Sequence, residues 1–346
     1  MAEADPGAHR SCALTAGIDT PAWKHLIATE EADMAGGYGG YGGYGGYGGY
    51  GGYGGYGGYG GTGGSGGGVF ADRVSLPFAG DPGIEGARFN SSGFGTRLWS
   101  TRWYAWVVMS DLARRADWFD RLGGFSLFGT GPTPWAGDLE ADIAALRKMT
   151  ETPFSERADA IDEIVTEADE FISKFLHLVS ANATTHPATS RMLIVADALT
   201  ALITMHYKAH FNRPRPTQVA PALMSPIQHG GHASFPSGHA TQSHVFAALL
   251  AEVMPKSLGT PASDAPERTT IEKSLGALAD RISRNREIAG LHYPSDTRAG
   301  VTLAAAMTAK IFLDRTYLPK FAELVENARR EWKDTGVFSG GKDVGE

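Results

Sequence analysis

Three short segments carry residues whose types and spacing suit the binding of an oxyanion and the movement of a proton beside it. Pro236-Ser237-Gly238-His239 stands directly before a helix-forming run, Ala240 to Val253. A proline, a small hydroxyl residue and a glycine bring the backbone tightly up to a helix start. The unpaired N–H groups there, with the positive end of the helix dipole, make an anion site. His239 is placed to pass a proton to whatever anion is held. Read alone, these four residues are equally an ordinary capped turn. Upstream, Lys208 is followed seven positions later by the pair Arg215-Pro216. Downstream, Arg286, His292 and Asp296 share one short stretch. Lys208 supplies a point charge, and Arg215 and Arg286 supply two planar forks for the oxygens of a tetrahedral anion.

In this order and spacing the three segments resemble the signature of the type 2 phosphatidic acid phosphatase and vanadium haloperoxidase superfamily, which includes the bacterial non-specific acid phosphatases. The resemblance spans roughly Tyr207 to Gly300. One departure is Asn285, where the family commonly has serine before the third-segment arginine; an amide still hydrogen-bonds an oxyanion. The resemblance implies that His292 attacks phosphorus, or ligates vanadium, and that His239 is the general acid that later activates water. It also implies that Lys208, Arg215, Ser237, Gly238 and Arg286 bind phosphate or vanadate, so that Ser237 is not the nucleophile. His292 and Asp296 are four apart and share a face on a helix, where Asp296 holds one ring nitrogen and leaves the other free.

Two activities follow from one anion cage. The first is a metal-independent phosphohydrolase, with no cofactor, acting on a small phosphorylated substrate: a phosphomonoester, a pyrophosphate or a lipid phosphate. The alternative is a haloperoxidase with vanadate as cofactor and halide plus peroxide as substrates. Other charged residues read more plainly. Arg213 and Arg284 are expected to be surface or supporting charges, and His206, His210 and His244 core or rim histidines. The pairs His229/His232 and His239/His244 lack neighbouring carboxylates for a zinc site.

The elements that must position these residues read as helices, without the period-two alternation of a sheet. The apolar pattern predicts helices over Leu98–Leu122, Asp138–Met149, Ser155–Ser180, Thr189–His210, Ala240–Val253, Glu267–Ala289, Asp296–Arg315 and Leu318–Trp332. Thr189–His210, apolar on much of its surface, is expected at the centre. The aromatic helix Leu98–Leu122 exceeds what one bundle readily covers, which makes self-association of the body plausible. Phe125–Pro134 and Asn212–His232 read as Gly/Pro-rich loops, and Phe125–Trp135 and Thr217–His232 are the expected entrance. The fold class is all-α, a helical bundle of the acid phosphatase and haloperoxidase type.

The chain has 346 residues and a formal charge of −7, which argues against general nucleic-acid binding. Cys12 is the single cysteine, so neither an intrachain disulfide nor a multi-cysteine zinc site is available. Met1 to Arg10 lacks the apolar core of a secretory signal, and no apolar run reaches the roughly 18 residues of a transmembrane helix. A cytoplasmic location is the default expectation, with export by another route left open.

Much of the glycine sits in one tract. The organisation reads as a leader over residues 1–35, a repeat over 36–68 and a catalytic domain over 69–346. In the repeat Gly-Gly-Tyr recurs eight times, with tyrosine at every third position from Tyr38 to Tyr59. Composition alone makes this tract a flexible linker. Its period of three offers another reading: an extended helix with one tyrosine edge, whose backbone needs neighbouring chains as partners and would build a fibre or multimer.

Overall fold

In the computed structural model the described residues are 99–150, 156–255 and 270–334, and among them there are helices and no strand. The leader over 1–35 and the Gly-Gly-Tyr repeat over 36–68 lie outside the described residues. The helices are α1 (Thr101–Ala113), α2 (Trp118–Leu122), α3 (Leu139–Thr150), α4 (Glu156–Asp169), α5 (Ile172–Leu178), α6 (Pro187–Phe211), α7 (Gly238–Val253), α8 (Thr270–Ile288), α9 (Pro294–Met307) and α10 (Pro319–Asp334). The all-α class expected from the sequence is what forms.

α6 is the axis of the bundle. Pro187 opens it, where a missing N–H costs nothing, and Asn212 ends it in the left-handed region at φ 45°, returning its N–H to the Lys208 carbonyl at 2.9 Å. It packs against α1, α7 and α10, and α7 packs in turn against α8 and α9. Phe246, Leu249 and Leu250 of α7 and Leu193, Leu199 and Ile203 of α6 are fully buried. Each such side chain contributes about 1.5–3 kcal/mol of transfer free energy. By length and composition the stretch Pro187–Val219 could cross a membrane, yet 78% of its apolar window is buried inside the protein, as in a core helix.

Two long predicted helices are interrupted. Leu98–Leu122 divides into α1 and α2, and Asp117 at the break accepts a hydrogen bond from the Tyr317 hydroxyl at 2.9 Å. Trp99, Trp103 and Trp106 lie on the exposed face of this region. Ser155–Ser180 divides into α4 and α5. The Glu170 carboxylate takes the Ser173 N–H at 2.7 Å and so caps α5, while Phe171 leaves helical dihedrals at φ −143°. The break turns Phe171 onto the imidazole of His239, ring centroids 5.1 Å apart.

Asn212–His232 is mostly loop but holds two single helical turns, Pro216–Val219 and Pro221–Leu223. The last turn after α9, Thr308–Phe312, widens to π geometry. One glycine is required by close approach: a Cβ at Gly300 in α9 would stand 2.7 Å from the Ser237 carbonyl and 2.9 Å from Ala240 Cβ. The start of α7 is therefore seated directly on α9.

Candidate active site

Each segment is shaped by how a helix begins or ends. Lys208 is in the last turn of α6, and the left-handed Asn212 turns the following Arg213-Pro214-Arg215 back alongside residues 232–234; Ser234 N–H donates to the Arg213 carbonyl at 2.9 Å. Ser237 is the N-cap of α7, its hydroxyl accepting the Ala240 N–H at 3.4 Å, which puts Gly238 and His239 in the first turn. Arg286 is in the last turn of α8. There Gly290, at φ 74°, closes a Schellman pair: its N–H goes to the Glu287 carbonyl at 2.8 Å and that of Leu291 to the Arg286 carbonyl at 3.0 Å. The spacing from Arg286 to His292 is thus one helix terminus, folded so that both side chains return to one place.

That place is a narrow cleft of about 50 Å³, room for a few waters or one small oxyanion group rather than a whole organic molecule. Arg215, Gly238, His239, Arg286 and His292 line it, with Ile227, Gln228, Gly230 and His232 contributed by the loop expected at the entrance. Lys208 and Ser237 do not line it. The Lys208 ammonium is buried behind, donating to the Ala233 and Ser234 carbonyls at 2.8 Å each.

His292 is not on a helix. Tyr293 is the N-cap of α9 and Asp296 its third residue, so the carboxylate folds back over the helix start. Oδ2 accepts the Tyr293 N–H at 3.0 Å and faces His292 Nδ1 at 3.2 Å. The Ser234 hydroxyl donates to the same oxygen. The expected pairing of His292 with Asp296 is formed, but across a helix cap rather than along a helix face. On the other side of the ring, Arg215 Nη1 is 3.2 Å from His292 Nε2. A guanidinium only donates, so this network assigns the proton to Nδ1 and the lone pair to Nε2, at the cleft.

His239 is held differently. Its Nε2 is 2.9 Å from the main-chain carbonyl of Glu167 in α4. The carboxylate of the same residue, almost fully buried, binds Arg286 Nη2 at 3.1 Å and Lys174 at 2.7 Å. It also takes the Asn285 amide, Nδ2 lying 3.1 and 3.0 Å from its two oxygens. Asn285, expected to offer its amide to the anion, thus turns it to Glu167 and to Glu163 at 2.7 Å. The reason is charge: two carboxylates from α4 lie beside it and outcompete a neutral role. Arg286 Nε remains a buried donor without a partner.

Electrostatics make both histidines reluctant to protonate. Burial lowers His292 well below the ordinary imidazole range, and the Arg215 and Lys208 charges add to it. Burial and then the Arg286 charge do the same to His239. His232 is pushed down to about 3, mainly by burial and then by Lys208 and Arg215. Burial also brings Arg215 and Arg286 down to about 10, where they still carry full charge at neutral pH.

Residues the sequence reading did not place here are His232, Glu167, Arg213 and Asp142. His232 braces Arg215, taking Nε on its carbonyl at 3.1 Å with Nδ1 at 3.1 Å from Nη2. Arg213, expected as a surface or supporting charge, is not on the surface: it is buried and ion-paired with Asp296 and Asp142. Arg284 is half-exposed and paired with Glu156 and Glu287. His206 packs among Trp118, Phe119 and Phe125, and His210 stacks on Phe125. His244 joins the Ala240 carbonyl and Asp280. None of these three histidines lines the cleft.

A comparison with curated proteins found no match for the chain. Residues 190–319, which hold all three segments, match the family model described as PAP2 superfamily. Such a match points to phosphatase- or haloperoxidase-type activity on a small-molecule substrate. Over residues 190–319 the chain is therefore similar to the PAP2 superfamily, with most of the ordered residues of the three segments gathered on one cleft inside an all-α body.

Proposed function

We propose that the protein is a metal-independent phosphohydrolase, acting on a phosphomonoester, pyrophosphate or lipid phosphate through a phosphohistidine on His292. The observation that carries this reading is the state of His292: Nδ1 on Asp296, and Nε2 with its lone pair at the cleft beside Arg215. The Nε2 lone pair attacks phosphorus, the bond from phosphorus to the leaving oxygen breaks, and His239 gives that oxygen the proton that it has taken from the phosphate of the entering monoanionic substrate. Water then attacks the phosphohistidine, His239 takes the water proton, and the P–N bond breaks to release phosphate. Arg215, Arg286 and the Gly238 N–H meet the equatorial oxygens, and Lys208 and Ser237 support them from behind.

Vanadate has the same tetrahedral shape, and the unpartnered Arg286 Nε and the His292 Nε2 lone pair suit it equally. When bound, vanadate supplies peroxide activation. The residues that would hold it are those that hold phosphate.

The test is hydrolysis of p-nitrophenyl phosphate in EDTA, with vanadate as inhibitor, run beside bromination of a diketone dye with vanadate, peroxide and bromide. The expected outcome is hydrolysis that falls by about 10³-fold or more in His292→Ala. Full activity in that variant overturns the mechanism, and bromination without hydrolysis assigns the cleft to vanadate. Self-association through the Gly-Gly-Tyr repeat is a separate proposed role. Identical monomeric particles by electron microscopy, with and without residues 36–68, would reduce that repeat to a linker.

A further inference from the structure

Asp296 is held from behind by a group that does not reach the cleft. Arg213 follows the left-handed Asn212 and so turns inward, and its side chain is 1% exposed. Nη1 donates to Asp296 Oδ1 at 2.7 Å and to the Ser295 hydroxyl at 2.7 Å; Nη2 donates to Asp142 Oδ2 at 3.2 Å. Asp142, from α3, takes the Ser295 N–H on Oδ1 at 3.1 Å and the Ser295 hydroxyl on Oδ2. The guanidinium carbon lies 3.7 Å from the Tyr293 ring centroid and 5.0 Å from that of Trp135. Asp142 lies outside the region that matches the family.

A buried charge cluster is weak evidence for stability, since apolar replacements of similar volume often serve as well. Its geometry says what it does instead. Asp296 has both oxygens committed: Oδ1 to Arg213, and Oδ2 to the Tyr293 N–H, Ser234 and His292 Nδ1. The carboxylate therefore cannot rotate without breaking a charge-assisted bond.

We propose that Arg213, braced by Asp142, is a positioning residue that locks Asp296 against the Nδ1 side of His292 and so keeps the Nε2 lone pair on the cleft. A lone Asp296 would be free to turn, and as a stronger base it would draw the Nδ1 proton once the ring is charged by bonding to phosphorus. Paired with Arg213 it accepts a hydrogen bond but leaves that proton on the ring. The ring then bears the positive charge when Nε2 bonds to phosphorus, and it departs as neutral imidazole when that bond breaks. Asp142 neutralises Arg213, so that the guanidinium does not add to the positive field of Arg215 and Lys208 on His292. The consequence for turnover rests on the phosphohydrolase reading above; the tautomer does not.

The experiment uses full-length Arg213→Met, close in volume to the aliphatic stem, and Asp142→Asn, which keeps an acceptor for Arg213 and Ser295. Three quantities are read: kcat and KM for p-nitrophenyl phosphate, the inhibition constant of inorganic phosphate, and the His292 tautomer from long-range ¹H–¹⁵N spectra. The His292 signal is assigned by its loss in His292→Ala. Arg213→Met is expected to lower kcat about 10- to 100-fold, the usual effect of losing an outer partner of a functional imidazole. Phosphate inhibition should stay within about threefold, because Arg213 does not line the cleft. The Nδ1–H signal should give way to a mixture. Asp142→Asn should lower kcat by less than about tenfold with a smaller tautomer change.

A folded Arg213→Met with unchanged kcat and tautomer overturns the proposal. So does a loss confined to phosphate affinity, which would make Arg213 an anion ligand. If circular dichroism shows that Arg213→Met does not fold, Asp142→Asn decides alone, and no change in kcat or tautomer there overturns it. If wild type hydrolyses nothing, the activity reading fails while the tautomer arm still decides the role of Arg213.

Discussion

The two histidines that line the cleft are oriented by different chemistry. His292 is held by a carboxylate, Asp296 Oδ2, at 3.2 Å; His239 is held by a neutral main-chain carbonyl, that of Glu167, at 2.9 Å. Near His239 the available carboxylate belongs to the same Glu167 but is spent on Arg286, Asn285 and Lys174. A carboxylate partner stabilises an imidazolium, which suits the role proposed for His292, a ring that becomes positive on bonding to phosphorus. A carbonyl partner orients a ring without holding its charge, which suits a group that must release a proton. In the proposed mechanism the same pair of atom types, imidazole and oxygen, serves two tasks, and the charge on the oxygen separates them.

The sharpest way to break this comparison is to remove each partner. Asp296→Asn should lower kcat by about 10²-fold or more, as when a catalytic imidazole loses its carboxylate and its tautomer. Equal kcat in wild type and Asp296→Asn would show that the carboxylate does nothing special for His292. His239→Ala should cost about 10²–10⁴-fold on an alkyl phosphate, whose leaving oxygen needs a proton, and less than tenfold on p-nitrophenyl phosphate. Equal losses on the two substrates would remove His239 as the acid.

Glu167→Gln keeps the shape and the main-chain carbonyl but frees the Arg286 charge. Phosphate inhibition should tighten by about three- to tenfold, with kcat changed by less than about threefold. A kcat loss as large as that of Asp296→Asn would erase the distinction between the two sides.

The smallest expected effect is on stability. His292 and His239 both titrate below the ordinary range in the folded protein, chiefly through burial. The unfolded chain takes up protons from about pH 6.5 downward, where the folded one refuses them. Stability from these groups is therefore full above about pH 6.5 and is lost as pH falls toward the folded values. The melting temperature should drop by a few degrees between pH 7.5 and pH 5.5, and less so in a His292→Ala, His239→Ala double variant. Identical pH dependence in the two proteins would mean that other groups govern it.

The parts of this site that were legible in the sequence are those made by one helix terminus. Ser237 as a cap and Arg286 six residues before His292 are local relations, within reach of a turn or two of backbone. The same holds for the central placement of α6, which its apolar surface announces. The illegible parts join distant segments. Glu167 lies in an acidic stretch that reads as a solvated helix face, and only its burial against Arg286 sets it apart. Asp142 looks like a first-turn helix acid, and Arg213 like a supporting charge. The division of Ser155–Ser180 into two helices escaped the periodicity because both halves are amphipathic. What breaks them is Phe171 turning in to His239, a contact between residues 68 positions apart in the chain.

By itself the sequence determined which residues meet at helix ends, that the body is all-α, and which superfamily its three segments resemble. These depend on caps, periodicity and spacing, interactions that act within a few residues. Only the tertiary structure decided that Lys208 and Ser237 stand behind the cleft rather than on it, and that Asn285 serves two carboxylates. It also decided which oxygen faces which nitrogen of His292. The reason is the range and steepness of the forces involved. A charge-assisted hydrogen bond exists at about 3 Å and is gone a few ångströms further, and that distance is set by the packing of α3, α4, α7 and α9, such as the close seat of α7 on Gly300 of α9, not by any rule of spacing along the chain.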